Sequence, residues 1–241
     1  MKFAHQLTAM AALTCAALSV SQGAYAGQCP VASRQEKAFE LSSYSMEEII
    51  PLLPLLQQWV VREFRQYPYL WAPANGEICE GNTMLLNEPK AQVVVVKDQG
   101  RVVGVAAGIP LDSFAMIGYL GGRPCALMEE KGFDISRIFY MSYFLTDPEY
   151  RNNQQLVDLI YNDFVDFAYS VGKTQICYFE DCGNPESPLK PQNPIPIEPW
   201  GVLIHGFKST GIKVGIAWQT LQPDGSSQEQ AHTSEFFIKD L

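Results

Sequence analysis

The chain has 241 residues, a net charge of −9 and a pI near 4.8. That acidic balance argues against nucleic acid and against an anionic membrane surface as partners. The apolar stretch of the N-terminal segment is too short and too Ala-rich for a membrane anchor, and no second apolar run spans a bilayer.

That segment has the form of an export signal. Lys2 supplies the positive start, Leu7 to Val20 the apolar stretch, and Ala24-Tyr25-Ala26 the small-x-small processing site. Cleavage after Ala26 leaves roughly 215 residues, the length of one generous domain. The expected organisation is a signal peptide over 1–26, an N-terminal arm over 27–44 and one domain over 45–241, in an exported protein, periplasmic or secreted. Export changes how cysteines are read. Cys29, Cys79, Cys125, Cys177 and Cys182 can pair in an oxidising compartment, with one left over, in about 15 arrangements. The short spacing of Cys177 and Cys182 makes a disulfide between them the simplest expectation.

Ser45-Met46-Glu47-Glu48 is a capping box that starts a short turn. Pro51 and Pro54 break it from a second helix, expected from about Leu55 to Arg65, with Leu56, Val60, Val61 and Phe64 at helical spacing. Tyr67 to Trp71 reads as a buried aromatic turn. Gln92–Val96 and Arg101–Gly108 read as a hairpin joined at Lys97–Gly100, apolar on successive residues and so covered on both faces. Ser113 to Asp134 is Gly-rich and reads as a long loop. Ile138–Leu145 is the next strand. A turn, Thr146 to Arg151, leads into an amphipathic helix, Gln154–Ser170, that buries Leu156, Leu159, Ile160, Phe164, Phe167 and Ala168 and stops at Gly172. Lys173–Phe179 is a strand, followed by the polar pair Glu180-Asp181. Gly183 to Pro199 is rich in Pro and irregular, Trp200–His205 suits a short helix, and Ile212–Thr220 and Glu235–Ile238 close the domain around a polar loop, Asp224 to Gln230.

A strand, a basic turn and a helix N-terminus make a natural anion site, because first-turn N–H groups lack intrahelical partners. Pro148-Glu149-Tyr150-Arg151 resembles the acetyl-CoA-binding motif of GNAT-type N-acetyltransferases, in which Gly-x-Gly-x-Gly follows. Asn152-Asn153-Gln154-Gln155-Leu156 stands in place of the glycines. The similarity continues in Tyr67-Pro68-Tyr69-Leu70, in Gly108-Ile109-Pro110-Leu111, in Pro188-Leu189-Lys190-Pro191 and in Gly206-Phe207, all in family order. The resemblance implies an α/β (α+β) GNAT fold, a mixed central sheet with helices on both faces.

By that resemblance, the activity is acyl transfer from acetyl-CoA to a small-molecule amine. The strand backbone at Tyr143, Phe144 and Leu145 matches the family's pantetheine-binding stretch. Arg151 and the amides of Asn153, Gln154, Gln155 and Leu156 match its diphosphate site. Gln154 and Leu156 replace glycine or a small residue, and their side chains are expected to fill part of that site, which predicts weak coenzyme binding or none. Tyr143 stands where a subgroup of the family has a basic glutamate, and Val202 where many members have an acidic tyrosine. His205 is the neighbouring substitute for that acid, and Glu180 and Asp181 lie where the family binds acceptor amines. These departures keep a second function open, a non-catalytic exported binding protein that reuses the cleft for another ligand or partner. A metal site is not expected. Residues 27–241 contain two histidines, His205 and His232, and no His-Glu-x-x-His or Cys-x-x-Cys pattern.

Overall fold

The computed structural model describes residues 39–73, 79–120, 122–183, 187–190 and 206–241. The expected signal peptide, His205 and Val202 lie outside the described residues. Within them, one mixed seven-stranded sheet has the order β1-β2-β3-β4-β5-β7-β6. Its strands are β1 (Glu40–Tyr44), β2 (Gln92–Asp98), β3 (Arg101–Pro110), β4 (Ile138–Thr146), β5 (Gln175–Asp181), β6 (Lys208–Leu221) and β7 (Ser227–Asp240). Neighbouring strands are antiparallel except β4 and β5, which run parallel. Parallel neighbours need a crossover, and helix α6 (Gln154–Ser170) provides it.

The other α-helices among the described residues are α1 (Met46–Ile49), α2 (Leu53–Phe64), α3 (Glu80–Leu85), α4 (Phe114–Leu120) and α5 (Arg123–Glu130). A core of Leu56, Trp59, Met84, Met116, Met128, Val93, Val95, Ile109 and Tyr140 joins α1–α5 to one face of the sheet. On the other face Leu156, Ile160 and Phe164 of α6 pack against Val94, Val96, Phe139 and Tyr178. The central strands are apolar on both faces because both are covered.

Several elements differ from the sequence expectation. Residues 40–44, read as part of an arm, form β1 and pair with β2 from Glu40↔Lys97 to Tyr44↔Val93. The expected loop over Ser113–Asp134 holds α4 and α5. Packing outweighs its glycines, since Met116, Cys125 and Met128 are buried, and Pro124 fits the first turn of α5. The break expected at Pro51 and Pro54 is only a 3-10 turn between α1 and α2, because both prolines sit in first turns where no N–H is needed. The β2–β3 turn tightens to Gln99-Gly100, both at positive φ. β6 and β7 extend to 14 residues each and absorb most of the expected polar loop.

Cys177 and Cys182 are both free thiols. Cys177 is buried in β5, and Cys182 continues the extended chain beyond it, its N–H bonded to Thr233 O. Five residues of extended chain separate the two by roughly 16 Å, well past the reach of a disulfide. The expected bond is therefore not formed.

Candidate functional site

The site begins with an interruption in the sheet. β4 and β5 pair only at Ile138↔Gln175, Phe139↔Ile176 and Tyr140↔Cys177. Beyond Tyr140, β4 stays with β3 and β5 stays with β7, so the two halves of the sheet part. A bulge lies at the parting point. Ala107 faces Tyr143 and Gly108 faces Met141, leaving Ser142 as the extra residue. The bulge resets the alternation, so Tyr140 and Tyr143 share one face of the sheet while Met141 and Phe144 share the other.

A cavity of about 530 Å³ opens beside the bulge, lined by Tyr140, Ser142 and Tyr143 of β4, Phe179 of β5, residues 215–219 of β6 and Glu229 of β7. Phe64 of α2, Tyr69, Trp71, Cys79, Gly81 and Gly118 complete it. The Tyr67–Leu70 turn is clamped to β6. Trp218 Nε1 donates to Tyr69 O at 2.8 Å, Leu221 N to Leu70 O at 2.7 Å and Ala72 N to Gln219 O at 2.8 Å.

Three buried polar residues stand behind Trp218. His232 stacks on the indole with centroids 3.7 Å apart and planes 14° from parallel. Its Nδ1 lies 2.9 Å from Asp181 Oδ2 and its Nε2 2.7 Å from Thr220 Oγ1. Asp181, expected in a loop as an amine contact, is instead the buried last residue of β5 and also accepts from Gly183 N. It orients the wall rather than touching the cavity. Glu180 lies in the same strand, paired with Glu235. Neither His232 nor Thr220 stood out in the sequence, because nothing local marks three residues that meet only across a hairpin and a neighbouring strand.

Tyr143 lines the cavity, and its hydroxyl donates to Asn82 Oδ1 at 3.0 Å. Burial, with Cys79 adding to it, pushes the phenol well above its usual pKa. It stays protonated at neutral pH and does not act as a base there. Gln57 Oε1 ties this corner together by accepting from Cys79 N and Asn82 Nδ2.

The turn before α6 lies at the other end of β4. Asp147 caps a 3-10 turn, Pro148–Tyr150, and Asn153 caps α6, its Oδ1 accepting from Leu156 N at 3.0 Å. The expectation that Gln154 and Leu156 fill the anion site is corrected. Leu156 is fully buried in the α6 core, and Gln154 lies on the exposed face with its amide on Asp158. Gln155 is exposed as well. What occupies the helix start is the Asn153 carboxamide. Arg151 is engaged too, its guanidinium 2.5 Å from Glu63 of α2. Arg62, Asp147, Arg101 and Glu149 extend the same charged cluster.

No family model and no curated protein sequence matches the chain. Solved structures do match. An acetyltransferase from Salmonella typhimurium, solved with its cofactor acetyl-CoA, superposes with a TM-score of 0.50 over 85% of this chain and 94% of that one, at 11% identity. A polyamine N-acetyltransferase from Drosophila melanogaster, which forms N-acetylagmatine, gives 0.51 over 85% and 100%, at 9% identity. The chain has the GNAT fold.

Acetyl-CoA is the group that the GNAT fold implies, and the residues present fit it with two local exchanges. The parted edge of β4, over Tyr143 to Leu145, can take an extended arm as a strand edge takes a peptide. The first-turn N–H groups at Gln154 and Gln155 have no intrahelical acceptor, and neither side chain covers the cap. A diphosphate at that turn would have to displace the Asn153 carboxamide from Leu156 N–H and Glu63 from Arg151. Among the described residues no cluster of side chains is suited to a metal ion, and no helix is long and apolar enough to cross a membrane.

Proposed function

We propose that this protein transfers an acyl group from acetyl-CoA to a small amine, in the exported setting expected from its N-terminal segment. The observation that carries the reading is the parting of β4 from β5 at the Ser142 bulge, directly beside a cavity large enough for an acceptor. A thioester would supply the acyl group. The amine forms the new C–N bond as the C–S bond breaks, the thiol leaves and the amine gives up one proton. The chain's own part is to hold the two reactants at the bulge. Tyr143 to Leu145 would line one arm of the gap, and the aromatic cavity would orient the amine. Tyr143 is a protonated hydroxyl beside that point whose proton is already given to Asn82 Oδ1, so it would not remove a proton there. The test is incubation of the purified protein with acetyl-CoA and a panel of amines, read by thiol release and by the mass of the amide. Acetylated product supports the reading, and its absence with every amine overturns it.

A second reading, a non-catalytic binding protein that uses the same cleft, is favoured by the occupied coenzyme turn. Both the helix cap and Arg151 already have internal partners, Asn153 and Glu63. Amine binding without any transfer would select it.

A further inference from the structure

The wall of the cavity is unusual in composition. Six of its lining residues are large aromatics other than Tyr143: Phe64, Tyr69, Trp71, Tyr140, Phe179 and Trp218. Among the described residues that line it, only Glu229 carries a charge, and no Lys, Arg or His contributes. The rings are held in place. Phe64 and Tyr69 lie 4.7 Å apart between centroids, Tyr140 and Phe179 are stacked at 5.8 Å, and Trp218 is pinned by its stack on His232 and its N–H on Tyr69 O.

Fixed ring faces with one carboxylate attract an organic cation, through the negative face of each ring and through charge. An anion finds no positively charged side chain among the described lining residues. The net charge of −9 favours the approach of the same kind of ligand. A single primary amine leaves this arrangement without use. The nitrogen that attacks a thioester must be uncharged, so a monoamine presents no cation to the rings at the moment of reaction.

Resting on the acyl-transfer reading for the identity of the reacting end, we propose that the acceptor is a diamine-class cation. One nitrogen enters toward Ser142 and reacts. The other stays protonated among the ring faces beside Glu229. The cavity's volume leaves room for this acceptor and for the acyl end of the donor.

Three probes of equal chain length isolate the second group: 1,4-diaminobutane, butylamine and 4-aminobutanoate. Calorimetry on the purified protein, without acetyl-CoA, reads binding alone. The expected order is diaminobutane at least tenfold tighter than butylamine, with 4-aminobutanoate undetected. Glu229→Gln, at an exposed position, is expected to weaken diaminobutane and remove most of its preference over butylamine. Equal affinity for diaminobutane and butylamine, or binding of 4-aminobutanoate as tight as either, overturns the proposal. Diamine selectivity without acetyl transfer would sink the transfer reading and leave this one standing. Transfer to monoamines without diamine selectivity would do the opposite.

Discussion

Arg151 reaches across from the turn before α6 to Glu63 on the last turn of α2, with 2.5 Å between guanidinium and carboxylate. The basic residue that the proposed reading assigns to a phosphate is thus held by an acid 88 positions earlier in the chain. The neighbouring residue, Phe64, lines the cavity beside the bulge. One helix end therefore touches both halves of the site.

The coenzyme turn is predicted to be weakened by its internal partners and not by bulk. Acetyl-CoA should bind weakly to the unaltered protein. Asn153→Gly, which costs a helix cap only a few tenths of a kcal/mol, combined with Glu63→Gln, should tighten binding about tenfold, or ~1.4 kcal/mol. Calorimetry with acetyl-CoA checks this. Tight binding by the unaltered protein, or no gain in the double variant, would count against it.

His232→Leu should cost about 1–3 kcal/mol, because it removes the ring-nitrogen partners of buried Asp181 Oδ2 and Thr220 Oγ1. It also frees one face of Trp218. Denaturant unfolding and tryptophan emission should change together. A stability loss with unaltered emission would show that His232 does not support the cavity wall.

Gly108 faces the bulge. A Cβ there would meet Tyr140 O and would lie 2.5 Å from Phe164 Cζ. Gly108→Ala should destabilise by about 1–3 kcal/mol, because backbone and a packed ring cannot both yield. Gly104→Ala, which meets the flexible end of Ile160 at 2.6 Å, should cost less. Chemical denaturation of the two variants ranks them.

Burial raises the Asp147 carboxyl, but the Glu149 N–H and the Arg101 guanidinium outweigh it and hold it below the usual carboxylate range. A folded pKa below the unfolded value of about 3.9 gives stability that is complete above that pH and lost as pH falls through the folded value. Asp147→Asn should therefore show a shallower fall in Tm between pH 5 and pH 2 than the unaltered protein. Parallel slopes would remove Asp147 from the acid response.

Burial pushes the Cys177 thiol well above its usual pKa and shields it, whereas Cys182 is exposed. Under native conditions a thiol reagent should label Cys182 and spare Cys177. Peptide mapping without reduction should find no Cys177–Cys182 link, and finding one would contradict the strand register.

The elements that were legible in the sequence carry their own signals. α6 runs from Gln154 to Ser170 as expected, because its apolar period, the Asn153 cap and Gly172 at positive φ agree. The hairpin of β2 and β3 was legible for a similar reason. β1 was not, since Glu40 to Tyr44 is polar and becomes a strand only through pairing with β2. The Ser142 bulge was hidden because an extra residue in a ladder is defined by the partner strand, here Ala107 and Gly108. In the candidate site, the turn from Pro148 to Arg151 was legible and is a 3-10 turn. The Asn153 cap on Leu156 N–H and the pairing of Arg151 with Glu63 were not, because composition cannot say which side chain turns inward. Leu156 differs from glycine on paper, yet its side chain points into the core.

The seam between β4 and β5 is three residue pairs long. The sheet is thus bound like a book whose pages are sewn only at one end of the spine. On one side lie β1 to β4, on the other β5 to β7. An extended guest in the gap does more than fill a groove. It would pair with the free edge of β4 and lengthen a seam that the chain alone closes at one end.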